Sequence, residues 1–240
     1  MLSTLLDWVY PPACISCRIL LPLNEMRRFV CERCESLFDP IAPPFCQTCG
    51  VPAGTSVKQC ASCIGKDFFF NRNHAAFIYE ELVRELLHEM KFRNKKRVAQ
   101  GLGLLWANSS ENPMPGEDFT LVPMPMHRKK FRERGFNQAE ILTIPLAKKF
   151  SRPTANILVR THDTPPQSGL PPSQRAENVR NIFAIRKGEN VCGKNYILTD
   201  DIFTTGASLN ECAKTLINSG AAKVLCMTLA VSVKKIQIKS

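Results

Sequence analysis

From residue 74 onward, apolar and polar positions follow two rhythms in turn. HAAFIYE (74–80) is a short apolar run and predicts a strand. ELVRELLHEMKF then places Leu82, Val83, Leu86, Leu87 and Met90 three and four apart, the spacing of one helical face. RVAQGLGLLWANSS predicts a second helix. FTLVPMP predicts a strand stopped by Pro123 and Pro125, and NQAEILTIPLAKKF a helix interrupted at Pro145. NILVRT reads as a short strand. Residues 162–181 are rich in Pro, Gln, Arg and Asn, have no apolar period and read as a long loop. NYILTDD predicts a strand. SLNECAKTLINSG predicts a helix with Leu209, Cys212, Ala213, Leu216 and Ile217 on one face and Gly220 as its stop. KVLCMTLAVS predicts a last, buried strand. Strands alternating with helices imply a parallel α/β sheet, whose ligands sit at the carboxyl ends of strands.

The first 66 residues lack this rhythm and carry cysteines instead. Eight of the 11 lie in four C-x-x-C pairs: Cys14/Cys17, Cys31/Cys34, Cys46/Cys49 and Cys60/Cys63. Two thiolates three positions apart can face one ion across a tight turn, and two such knuckles complete a tetrahedral site. Pairing in order gives two zinc ribbons in succession and is the expectation. Interleaved pairing would give a cross-braced module, and iron–sulfur clusters or redox pairs are the chemical rivals. All-sulfur ligation leaves no open position, so two structural Zn²⁺ ions are expected. The remaining Cys192, Cys212 and Cys226 are expected to be core thiols. The expected domains are thus a module over 1–66 and an α/β domain over 67–240.

Charge sharpens this division. The chain's 240 residues carry a net +11. Residues 1–66 hold six Lys/Arg against five Asp/Glu, and the remainder 26 against 16, so the excess lies in the second part. A basic domain suits an anionic partner, either a phosphorylated small molecule or nucleic acid. No apolar run reaches the roughly 18 residues a membrane helix needs. The opening MLSTLLDWVYPP carries Asp7, has no basic stretch and shows no small-residue cleavage site, so no export signal is expected and the cytoplasm is the expected compartment.

The strand NYILTDD runs into ILTDDIFTTGAS (197–208). Thr204, Thr205, Gly206, Ala207 and Ser208 join it to a helix N-terminus. Successive N–H groups and the helix dipole there favour phosphate, with hydroxyl donors beside them. Asp200 and Asp201 are suited to accept hydrogen bonds from vicinal hydroxyls. Together they are laid out for a ribose 5-phosphate.

The ordered pattern apolar-apolar-x-D-D-apolar-x-T-T-G-x-[ST] resembles the phosphoribosyl pyrophosphate signature of type I phosphoribosyltransferases. VPMPMHRKKFRERGFNQA (122–139) and RTHDTPPQSGLPPSQRAENVRNIF (160–183) resemble segments that mark the ComF family of competence proteins, as does the multi-cysteine start. Thr199 and Ser208 depart mildly from the pattern without removing a charge or a phosphate donor. The resemblance implies a type I phosphoribosyltransferase-like parallel sheet flanked by helices, preceded by a small Cys-rich zinc-binding module. It implies a phosphoribosyl pyrophosphate ligand with Mg²⁺, and a role in natural transformation with single-stranded DNA and DNA-uptake proteins as partners. Two alternatives stand beside that role. One is an active phosphoribosyltransferase of unknown acceptor; the other is a catalytically silent, ribose-phosphate-sensing nucleic-acid-binding protein.

Further residues follow from the resemblance. Arg128, Arg132 and Arg134 fall where pyrophosphate lies, though a DNA-facing surface or plain solvated face fits the same residues. Phe131 and Phe136 are core anchors or base-stacking rings. Loop 161–180 takes the place of the catalytic hood, which nominates Arg160 and Arg175 for catalysis and Thr161, Gln167 and Asn178 beside them. KFRNKKR (91–97) has five cations in seven residues. It offers a further phosphate ligand, an extension of a nucleic-acid stripe, or a charged helix end.

Overall fold

A computed structural model of the chain describes residues 12–22, 29–55, 57–109, 118–163 and 179–233. In chain order the elements are α1 (Glu32–Glu35), β1 (Asn73–Ile78), α2 (Glu81–Phe92), α3 (Lys96–Asn108), β2 (Phe119–Pro123), α4 (Arg128–Arg134), α5 (Gln138–Phe150), β3 (Leu158–Arg160), β4 (Phe183–Ile185), β5 (Asn195–Phe203), α6 (Ala207–Asn218) and β6 (Lys223–Val231). Four strands form a parallel sheet in the order β1-β6-β5-β2. Of the two central strands, β6 is a nearly continuous apolar run, as a sheet covered on both faces requires, and β5 carries the buried apolar Tyr196, Ile197 and Leu198 before it turns polar at Thr199, Asp200 and Asp201.

Each face has its own core. Leu121, Ile197, Leu225, Met227 and Leu229 pack under α2, α3 and α5 through Leu86, Leu87, Met90, Leu102, Trp106, Leu142 and Leu146. Val122, Leu198, Val224 and Cys226 pack under α6 through Leu209, Cys212, Ala213 and Leu216. Pro145 does not end α5. It sits at the seam with α3, where a Cβ on Gly103 would lie 3.1 Å from Pro145 Cγ. That contact helps offset the one backbone hydrogen bond the proline cannot donate.

The expected strand NILVRT leaves the main sheet. Its β3 portion pairs antiparallel with β4, a three-residue strand too short to show a period in the sequence. Just before β3, Thr154 bridges to Leu121 and occupies the outer edge of β2. No helix among the described residues is long and apolar enough to cross a membrane.

The cysteine-bearing segment clamps the opposite edge. Cys14, Ile15, Leu21, Val30, Cys34 and Phe38 join the core on the α2/α3 face, and Cys46, Cys49 and Cys63 join the core on the α6 face. Between them, Pro40 bridges to Phe77, and the Ile41 amide donates to the Ala76 carbonyl at 2.8 Å, capping β1. A Cβ on Gly101 would meet Ile15 at 2.6 Å, and one on Gly50 would meet the Ala75 nitrogen at 2.8 Å. Both halves therefore dock at positions where only glycine leaves room. Buried Glu89 on α2 takes Arg18 from the first half together with Arg93 and Lys95. Burial alone would raise its carboxyl, but Arg18 and Lys95 outweigh this and hold it below its ordinary value.

Two expectations are corrected. Cys212 and Cys226 are core thiols, but Cys192 is exposed, on a turn between Val191 and Gly193 where Val191 takes the buried position. Phe136 is buried, whereas Phe131 is 46% exposed, on α4, none of whose residues is buried.

Candidate functional site

The site is built at the carboxyl end of β5. Side chains alternate along a strand, so Ile197, Thr199 and Asp201 face α2 and α5, while Leu198 and Asp200 face α6. Buried Thr199 shares a 2.6 Å hydroxyl hydrogen bond with Thr143 of α5, which fixes the strand against that helix just before the acids. β2 ends at Pro123, two residues short of register with Asp201, so the acid pair emerges beside a finished neighbour.

Asp201 is buried. Its Oδ1 lies 3.0 Å from Lys91 Nζ at the end of α2, and its Oδ2 accepts from Gln138 Nε2 at 3.3 Å. Gln138 Oε1 accepts from Arg134 Nη1 at 2.5 Å. Asp200 is only partly covered, and its Oδ1 accepts the Asp201 amide at 2.9 Å. Burial first, then the Asp201 charge, pushes the Asp200 carboxyl up to about 7, against the opposing pull of Lys91 and Arg160.

The turn follows within three residues. Gly206 takes a left-handed φ of 76°, and a Cβ there would lie 2.6 Å from Phe203 Cζ. Glycine therefore answers both to backbone and to ring packing. Thr205 Oγ1 accepts from the Ala207 amide at 3.4 Å. Thr204 is exposed, and Ala207 and Ser208 open α6 at the solvent boundary. The 12 residues of α6 point their N-terminus at this turn, adding a partial positive charge.

The basic segment folds as α4, capped at its start by His127 and closed by Gly135 at φ 80°. Its cations divide. Arg134 turns inward to Gln138, and burial lowers its guanidinium against the pull of Asp201. Lys130 also turns inward, lowered by burial and then by the Arg160 and Arg134 charges. Arg128 and Arg132 instead line a cleft of about 930 Å³ with Phe131, Asn137, Glu140, Asn156, Arg160, Thr161 and Arg186. Arg160 belongs to both places: it lines this cleft and its charge acts on Asp200. Burial lowers its guanidinium, opposed by Asp163 and Asp200. Arg175, Gln167 and Asn178 lie outside the described residues. Lys130 and Gln138 were not singled out from sequence, and Lys91 was one of five cations in its run. Which members of a basic helix turn inward depends on helix phase relative to strands far away in the chain.

The eight paired cysteines gather in sequence order, Cys14, Cys17, Cys31 and Cys34 at one point and Cys46, Cys49, Cys60 and Cys63 at another, each set with its sulfurs within 4.8 Å. None is disulfide-bonded. Cys17 and Cys31 sulfurs are 3.7 Å apart, as are those of Cys49 and Cys60. Four sulfurs about 2.3 Å from a zinc ion in a tetrahedron stand roughly 3.8 Å from one another, so the residues fit the metal. Knuckle amides support the thiolates: Cys31 N–H points to Cys14 Sγ at 3.5 Å and Cys60 N–H to Cys46 Sγ at 3.2 Å.

The double zinc ribbon domain matches residues 5–64. The chain is 30% identical over 207 residues to Competence protein ComFC of Bacillus subtilis, with 83% of each chain covered. It is 28% identical over 231 residues to DNA utilization protein YhgH of Escherichia coli K12, covering 91% of this chain and 98% of that one. Competence protein F of Haemophilus influenzae is 26% identical over 223 residues, covering 90% and 96%. Among solved structures, glutamine phosphoribosylpyrophosphate amidotransferase from B. subtilis overlaps 55% of this chain but only 26% of its own length, at 19% identity and a TM-score of 0.36. A hypoxanthine-guanine phosphoribosyltransferase from Bacillus anthracis overlaps 61% and 75%, at 13% identity and a TM-score of 0.37. Overlaps at that level add nothing to the strand order already described. The identity to ComFC runs through most of both chains, and on that ground the protein belongs to the ComF family of competence proteins.

Proposed function

We propose that the chain binds phosphoribosyl pyrophosphate with Mg²⁺ at the end of β5 and serves DNA uptake or utilization, the roles its relatives' names carry. One observation carries the ligand: an acid pair and a Gly206 turn opening α6 meet at one strand end, with Lys91 and Arg134 joined to the acids. Carboxylate suits the sugar hydroxyls, and the turn suits the 5-phosphate. Mg²⁺ would be held chiefly by diphosphate and ribose oxygens, leaving few protein ligands. Single-stranded DNA would lie along α4, where exposed Phe131 stands between Arg128 and Arg132 as a ring for stacking beside cations for phosphate.

Calorimetric titration of phosphoribosyl pyrophosphate with Mg²⁺ tests the pocket. Wild type should bind, and the double variant Asp200→Asn/Asp201→Asn should not; retained binding refutes the assignment. The same titration with single-stranded DNA should lose affinity steeply between 50 and 200 mM salt if phosphates dominate, the range used for that contrast in DNA-binding proteins. The cleft beside Arg160 supports a second reading, an active phosphoribosyltransferase whose acceptor occupies it. Pyrophosphate release on adding a candidate acceptor would establish it. No release across nucleobases and amines would leave the binding role.

A further inference from the structure

The two acids of the pair have different surroundings. Strand alternation sends them to opposite faces, so they cannot play symmetrical parts toward one sugar. Both oxygens of Asp201 are already engaged, one by Lys91 and the other by Gln138. Its side chain is 6% exposed, and that of Lys91 is 25% exposed. A carboxylate so held has little left to offer a diol. What it does hold is cationic: Lys91 from α2 directly, and Arg134 from α4 through Gln138. Asp200, by contrast, spends one oxygen on a backbone amide and keeps part of its surface open.

The cations around this end of the sheet crowd each other. After burial, the charges of Arg160 and Arg134 lower Lys130, with Asp163 and Glu133 pulling the other way. An incoming polyanion relieves that repulsion, and a diphosphate carries more charge per volume than any other part of the proposed ligand.

We infer that the pair is divided in function: Asp200 alone receives the ribose hydroxyls, and Asp201 is a positioning residue that seats Lys91 and Arg134 for the diphosphate group. The inference rests on the phosphoribosyl pyrophosphate reading and assigns its two halves to different acids. It makes Lys91 a ligand contact and Gln138 the link that ties α4 to the strand.

The test separates the halves of the ligand. Ribose 5-phosphate and inorganic pyrophosphate, each with Mg²⁺, are titrated separately into the full chain and its variants, with melting curves recorded for each variant. Wild type should bind both. Asp200→Asn should weaken ribose 5-phosphate and spare pyrophosphate. Asp201→Asn and Lys91→Met should weaken pyrophosphate by at least about tenfold, the scale of a lost charge-assisted hydrogen bond, and spare ribose 5-phosphate. Lys91→Arg should restore much of the pyrophosphate affinity, which a purely structural role would not require. If Asp201→Asn fails to fold, Lys91→Met decides, since its side chain reaches solvent. Lys91→Met with undiminished pyrophosphate affinity, or Asp201→Asn losing ribose 5-phosphate as Asp200→Asn does, overturns the division. Wild type binding neither probe overturns the pocket reading itself.

Discussion

Asp200 occupies a position where ionisation is costly. Its folded value of about 7 lies above the ordinary 3.8, so between those values the folded chain holds a proton that the unfolded chain has lost. Stability from this group is therefore full below about pH 4 and declines as pH rises toward 7. Asp200→Asn should raise the melting temperature at pH 8 by a few degrees. The gain is on the order of 2 kcal/mol, allowing for the solvent this carboxyl still meets. Near pH 4 the difference should vanish, and melts of both proteins across pH 4–8 check this; a constant difference would contradict it. The same variant should lose ligand, so the residue trades stability for binding. The acid pair and the paired cysteines were legible in the sequence because their partners lie within a few residues. Lys130 and Gln138 were not, and Lys91 stood out only as one of five cations in its run, because three separate helices deliver them.

The turn between β5 and α6 acts as one element. The amides proposed to receive the 5-phosphate depend on Gly206 holding a left-handed conformation against the Phe203 ring. Gly206→Ala should cost about 1–3 kcal/mol from backbone strain alone, with the ring contact in addition. It should also weaken ribose 5-phosphate binding while leaving the zinc content unchanged. An unaltered melting temperature would show that the turn tolerates a side chain. Among elements, α2, α3, α5 and α6 could be read from sequence because each repeats its apolar face over three turns or more. β4 could not, since Phe183, Ala184 and Ile185 give too few positions to define a period. α4 hid for another reason: it buries no residue, so it has no apolar stripe. Its start and stop, His127 and Gly135, are readable only as caps.

At the scale of the whole molecule, the two ribbons are part of the fold's closure rather than an appendage. They enter both cores and cap β1 between them. Zinc removal by a strong chelator should therefore release two equivalents per chain and lower the melting temperature of the entire protein in one transition. Cys49→Ser should drop the content to one equivalent and destabilise the α6-side core. A domain that melts unchanged after both ions are lost would refute the clamp.

The placement of β1 also bears on how the chain is made. β1 is the first strand of the sheet, yet among the described residues its only strand partner there is β6, about 150 residues later. A nascent chain emerging in order must keep Ala75, Ala76 and Phe77 from foreign pairing until the last strand arrives. The segment through Cys63 is finished before β1 emerges, and its Ile41 amide is aimed at the Ala76 carbonyl. Metal capture at these thiols before β1 emerges would give the first strand a native neighbour during the long wait for the last.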